Sequence, residues 1–109
     1  MSSAERNSSE KRILEEDCAE DRLKNGILTL TNKRLLFRKT EGKMATLSKK
    51  TGDIILDLNL NQVRSVKSEG LIIKKVVVFF DDETYKFGVF NNKKWAREID
   101  EQININKIG

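Results

Sequence analysis

Gly26-Ile27-Leu28-Thr29-Leu30-Thr31-Asn32-Lys33-Arg34-Leu35-Leu36-Phe37 is the stretch whose reading decides the fold. Apolar and β-branched residues lead up to Thr31. Asn32-Lys33 can then form a two-residue turn, because Asn tolerates the positive φ such turns need. With that pair as the loop, Thr31 stands opposite Arg34, Leu30 opposite Leu35 and Leu28 opposite Phe37. Strand side chains alternate between faces, so Leu28, Leu30, Leu35 and Phe37 share one face. That is a hairpin lying on a core.

Downstream, Ile54-Ile55-Leu56-Asp57-Leu58 reads as a strand, and residues 63–67 as another. Glu69-Gly70 marks a turn. Residues 71–80 are a continuous β-forming run, broken by Asp81-Asp82-Glu83, after which residues 84–90 resume strand chemistry. A turn at Asp82-Glu83 pairs Phe80 with Tyr85, Val78 with Phe87 and Val76 with Val89. All six then fall on one face, leaving Val77, Phe79, Lys86 and Gly88 on the other. Asn91-Asn92 can cap a helix. Trp95, Ile99 and Ile103 follow at i, i+4, i+8 with Ala96 beside them, one apolar stripe on a helix of about three turns. Trp95 reads as a core plug. Upstream, residues 1–10 are polar and serine-rich and read as a flexible tail. Residues 11–16 fit either a short helix or a lead-in strand. Residues 39–53 form a long polar connection in which Met44, Ala45 and Leu47 make at most a weak strand.

The chain has 109 residues and a mass of 12.6 kDa. At that size folding hides roughly 65% of the extended surface, enough for one core and not two. The domain is expected over residues 11–105, with 106–109 as a C-terminal tail. No apolar run approaches the roughly 20 residues of a membrane span, so no transmembrane segment is expected. Met1-Ser2-Ser3-Ala4-Glu5-Arg6 has no hydrophobic signal region. Cys18 is the only cysteine and can form no internal disulfide. This suits a reducing compartment, and the expected localisation is cytoplasmic, with peripheral membrane association as an option. Cys18 reads as a small half-buried residue, since no histidine exists to activate it.

Strands followed by one amphipathic helix specify a mainly β fold with a C-terminal α-helix. Two near-orthogonal antiparallel sheets leave an open end that the helix closes with Trp95 and Ile99. At this point the chain resembles the pleckstrin-homology-like superfold. The residues 26–37 match the pattern G-x-L-x-(L/I)-T-x-x-R-L-(I/L)-(F/W) of GRAM, bacterial PH-like and GLUE domains, GLUE being the PH variant at the start of an ESCRT-II subunit. Residues 54–58, Tyr85-Lys86-Phe87 and the helix near Trp95 extend the resemblance over roughly residues 11–105. It implies a PH-like barrel capped by the helix.

No catalytic constellation stands out. Gly42 and Gly52 are not followed by the Gly-Lys-Ser/Thr of a phosphate-binding loop. Asp81-Asp82-Glu83 reads as a charged hairpin tip rather than a metal loop. Neither Asp17 with Asp21 nor Asp53 with Asp57 is placed in a cleft by the sequence. The expectation is a non-catalytic module with no cofactor and no metal. Its charge is uneven. The total is +4, residues 1–22 carry −3, and residues 33–50 hold seven cations against Glu41 alone. Such a cluster concentrates anionic partners. The first candidate site is therefore Arg38, Lys39, Lys43, Lys49 and Lys50. In PH-like domains phosphoinositide-binding loops lie at the open end of the barrel. By that resemblance the acids 81–83 would stand near the phosphate, and the first loop, Lys24-Asn25-Gly26, lacks the usual basic signature. A GLUE-like pocket is displaced toward the fifth/sixth-strand loop and the helix start, where Lys67, Lys74, Lys93 and Lys94 are the candidates. Three partner classes follow. An adaptor role with a protein partner, of ubiquitin-like or ESCRT type by resemblance, comes first. An acidic membrane surface is the alternative. Nucleic acid ranks lowest, because few aromatics are free to stack.

Overall fold

The computed structural model describes residues 10–39 and 53–108. Its elements are β1 (Arg12–Glu20), β2 (Lys24–Thr31), β3 (Arg34–Lys39), β4 (Ile54–Asn59), β5 (Val63–Glu69), β6 (Lys75–Phe80), β7 (Glu83–Gly88) and α1 (Asn92–Ile108). A single 3₁₀ turn, Leu60–Gln62, joins β4 to β5. Every pairing is antiparallel, in the order β4-β3-β2-β1-β7-β6-β5. The ambiguous lead-in is strand: it lies within β1, which joins the two halves of the sheet. The weak strand expected at Met44, Ala45 and Leu47 lies outside the described residues.

The β2–β3 hairpin has the expected register, with Leu28 opposite Phe37 and Leu30 opposite Leu35. All four side chains are at most 1% exposed. Its turn is fixed by Thr31, whose Oγ1 accepts the Lys33 and Arg34 amides at 3.0 Å each. Asn32 Oδ1 accepts the Lys11 amide at 2.7 Å, which ties the turn to the start of β1.

Three expectations shift. The β6–β7 turn is Asp81-Asp82, not Asp82-Glu83, so Phe80 faces Glu83, Val78 faces Tyr85 and Val76 faces Phe87. Asp81 takes the left-handed φ of 54° that this turn demands, which Asp tolerates better than most residues. A slip of two residues preserves faces, so Val76, Val78 and Phe87 are still fully buried. The β1–β2 turn precedes Lys24-Asn25-Gly26 and occupies residues 21–23, while β2 already begins at Lys24. Glu20 explains it: its Oε1 accepts the Arg22 and Leu23 amides at 2.8 and 2.9 Å, capping a tighter turn. The run 71–80 is strand only from Lys75. Lys75 pairs with both Glu69 and Gly88, the last residues of β5 and β7, so nothing remains for residues 71–73 to pair with. Gly70 turns the chain there at φ 92°, where an added Cβ would stand 2.0 Å from the Ile73 carbonyl oxygen.

Neighbouring strands lie about 4.8 Å apart, so three steps across a flat sheet from β3 to β7 span roughly 14 Å. The rings of Phe37 and Phe87 have centroids only 5.9 Å apart. The sheet therefore folds over, and its inner face becomes a core. The two expected layers are halves of one continuous sheet, joined where β1 meets β7 at just Ala19–Gly88 and Glu20–Phe87. Leu60 and Val63 fill the corner between the edge strands, and the Leu60 amide bonds the Lys33 carbonyl at 3.0 Å. α1 packs on β5, β6 and the 3₁₀ turn. Trp95, Ile99 and Ile103 are 2%, 0% and 3% exposed, so the indole is the expected plug. At 17 residues the helix is longer than its apolar stripe. Asn106 donates to the Asn32 carbonyl at 2.9 Å, which anchors the far end of the helix to the β2–β3 turn.

Two predictions follow from this packing. Trp95→Ala should cost about 3–5 kcal/mol, a large part of the roughly 5–15 kcal/mol available to such a domain. A fall in the urea midpoint followed by circular dichroism measures it. Glu10 binds Arg34 Nε at 2.8 Å and accepts the Thr31 hydroxyl at 2.9 Å. The Arg34 bond holds its carboxyl below the ordinary carboxylate range despite partial burial. A lowered folded-state pKa gives stability that is present above the unfolded value and is lost as pH falls through the folded one. Glu10→Gln should therefore cost about 0.5–1 kcal/mol at neutral pH, the scale of a partly exposed pair. The gap from wild type should close on acidification below the ordinary carboxylate range, as read from denaturation midpoints across pH.

Candidate ligand-binding site

Of the first candidate set, Lys43, Lys49 and Lys50 lie outside the described residues. Arg38 and Lys39 close β3, half-buried and exposed respectively. At this end Arg22 gathers the β1–β2 turn and the β6–β7 tip. It pairs with Glu83 at 3.2 Å, donates to the Thr84 carbonyl at 3.0 Å and lies 4.9 Å over the Tyr85 ring. Asp81, Asp82 and Glu83 are all exposed on that tip. The end is acidic as well as basic.

The second set separates differently. Lys74 and Lys93 line one cleft, of about 620 Å³, with Gly70, Leu71, Phe90, Asn91 and Asn92. No carboxylate is among those residues. Lys94 is exposed in the first turn of α1. Lys67 stands on β5 opposite Val77, away from the cleft lining. Glu69, the acid nearest in sequence, is engaged by Lys86 at 3.2 Å.

Local structure explains how the cleft is held open. Asn91 caps α1: its Oδ1 accepts the Lys94 amide at 3.2 Å and its carbonyl accepts the Trp95 amide at 3.1 Å. Asn92 does something else. Its buried amide donates to the Glu69 carbonyl at 3.0 Å and the Lys75 carbonyl at 3.2 Å, clamping the end of β5 to the start of β6. Residues 70–74 are thus pinched at their base and project outward. On the other wall, Glu16 accepts the Trp95 indole N–H at 2.8 Å and the Phe90 amide at 2.5 Å. One carboxylate ties the exposed Phe90 segment to the core plug.

The projecting segment is apolar. Leu71, Ile72 and Ile73 are 88%, 92% and 71% exposed, and Phe90 is 83% exposed. Covering an aliphatic side chain of this size is worth about 1.5–3 kcal/mol, so three consecutive bare ones are costly in water. Ile72 and Phe90 also flank a second cleft, of about 700 Å³, opening over Cys18, Gly26, Gly88 and Val89 where β1 and β7 part. Lys74 and Phe90 belong to both clefts. These apolar residues, Glu16 and the clamping role of Asn92 escape the sequence reading. One signal was available: a ten-residue run after Gly70 outlasts any partner strand.

Cys18 is buried, 6% exposed, and burial, helped by Glu16 and Glu20, pushes its thiol up to about 12. A thiol held there is almost wholly protonated near neutral pH. Among the described residues no three His, Cys, Asp or Glu side chains converge as a metal site. No helix among them is long and apolar enough to cross a membrane.

Neither a protein-family model nor a curated protein matches the sequence. Among solved structures, the chain is similar to one titled Vps36 N-terminal PH domain. The TM-score is 0.65 at 15% identity, covering 93% of this chain and 84% of that one. The chain has a pleckstrin-homology-like fold. In this PH-like frame, the basic-apolar site lies at the β5–β6 loop and the helix start, not at the Arg22 end.

With a thiol near 12, native Cys18 should react with an alkylating reagent at pH 8 at least about a thousandfold more slowly than a free cysteine. Mass spectrometry in buffer and in urea checks this, with ordinary reactivity returning on unfolding.

Proposed function

We propose that this PH-like domain is a non-catalytic binding module that takes a phosphate-bearing anion in the cleft between residues 70–74 and the start of α1. The carrying observation is that Lys74 and Lys93 line one cleft with the N-terminal end of a 17-residue helix, with no acid in the lining. The helix dipole favours negative charge there. Lys94 adds to the field from the first turn. Each lysine near an anionic surface contributes about 1 kcal/mol. The Arg38–Lys50 segment fits less well, because the end that bears Arg38 and Lys39 also bears Asp81, Asp82 and Glu83.

A protein partner is the second reading, favoured by β4. Among the described residues it is an edge strand, and Ile54 and Ile55 on it are 46% and 40% exposed. A strand added there would complete its ladder. The adaptor role toward a ubiquitin-like or ESCRT-type protein suggested by resemblance belongs to this reading.

Titration of isotope-labelled protein with a soluble inositol bisphosphate tests the first. The amides of residues 70–74 and 91–94 should shift. Lys74→Glu with Lys93→Glu should weaken binding roughly thirtyfold or more, while Arg38→Glu with Lys39→Glu should leave it within about twofold. The opposite pattern moves the site to the basic loop.

A further inference from the structure

Among the described residues nothing covers the apolar segment beside the basic cleft, and its position says what does. We infer that Leu71, Ile72, Ile73 and Phe90 form a wedge that enters an anionic lipid bilayer while Lys74, Lys93 and Lys94 stay at its headgroup level. This rests on the reading of the basic cleft above and commits its anion to a lipid source rather than a free phosphate.

Four observations carry it. The first is degree of exposure. Ile54, Ile55 and Ile105, the other exposed large aliphatics among the described residues, are 46%, 40% and 51% exposed, whereas residues 71–73 range from 71% to 92%. The second is contiguity. Leu71 shares one cleft with Phe90 and Ile72 shares the other with it, so these three stand together across two loops, with Ile73 next to them in the chain. The third is charge. The cations at the base of the wedge are lysines, whose long stems let an ammonium remain at the interface while its neighbours go deeper, and no carboxylate lines the cleft that holds Lys74 and Lys93, Asp17 lining only the other one. A protein groove that simply buried apolar residues would not need this ring. The fourth is support. The Asn92 clamp and the left-handed Gly70 hold the segment away from the sheet, and Glu16 holds the backbone of Phe90. The tip is therefore presented in place and need not be pulled from the core.

The two forces differ in salt response. Lysine attraction is screened within roughly 4–5 Å at about 0.5 M salt, and apolar insertion is not. Hence salt should remove part of the binding and the wedge should account for the remainder.

The test uses the whole chain with an environment-sensitive NBD dye at Ile72→Cys, Cys18 being buried. It also uses an Ile72→Ser/Ile73→Ser variant, whose side chains do not line the basic cleft and whose fold is verified by the emission of Trp95, the only tryptophan. With phosphatidylcholine vesicles containing roughly 30% phosphatidylserine, the dye should brighten and shift to the blue. The double variant should partition at least tenfold more weakly, yet bind the soluble inositol bisphosphate as the parent does. If the dye stays in water on sedimented vesicles, or the double variant sediments like the parent, the wedge is refuted and the cleft reading, measured with the soluble ligand, stands. Loss of soluble-ligand binding in the parent with dye insertion intact refutes the cleft reading alone. If vesicles are not bound even at low salt, the inference falls, and wedge-dependent capture of a protein in that case identifies the covering as a protein groove.

Discussion

Everything in this domain depends on folding a seven-stranded sheet until its inner face is dry. The Phe37–Phe87 contact records that closure, since no flat sheet would bring β3 and β7 so near. The closure leaves one gap, and the indole of Trp95 fills it. A ring of that size can be buried only if its N–H finds an acceptor, and Glu16 supplies one from the strand that joins the halves. The same carboxylate takes the Phe90 amide. Core closure and the geometry of the ligand-facing loop are thus set by one side chain.

The proposed site follows from where pairing stops. β5, β6 and β7 all reach their limit at Glu69, Lys75 and Gly88. Whatever follows or precedes those residues must leave the ladder, and Asn92 secures the exit by bonding the carbonyls of Glu69 and Lys75. The cleft and the apolar tip are consequences of that common end point. Their chemistry comes from residue choice: aliphatics where the chain projects, lysines where it returns.

Much of the architecture was legible because its signals are local. Alternation around Asn32-Lys33 determines the first hairpin completely, register included. The spacing of Trp95, Ile99 and Ile103 marks the buried helix face. The second hairpin was legible in its faces and not in its register, because moving the turn by one residue slips the pairing by two, which changes no side chain's face, and the acids 81–83 offer two placements. The 71–80 run misled for a different reason. β propensity describes a pleated, half-covered environment, and residues 71–73 lack partners that only the tertiary arrangement could reveal. Of the site, Lys74 and Lys93 could be nominated from sequence through resemblance. Their separation from Lys67, and the apolar company they keep, depend on which way β5 faces and where the ladder ends.

The narrow β1–β7 junction has a bearing on how the chain reaches this state. Within 24–39 and again within 63–88, each strand meets its neighbour across a short turn, so these pieces can zip up from nearby contacts. Ala19 and Gly88 are far apart in the sequence, and their pairing closes a loop spanning more than half of the 109 residues. Closing so long a loop carries an entropic cost that is repaid only once the rings behind it are packed. The junction is therefore the strand pairing with the highest loop-closure cost in the sheet.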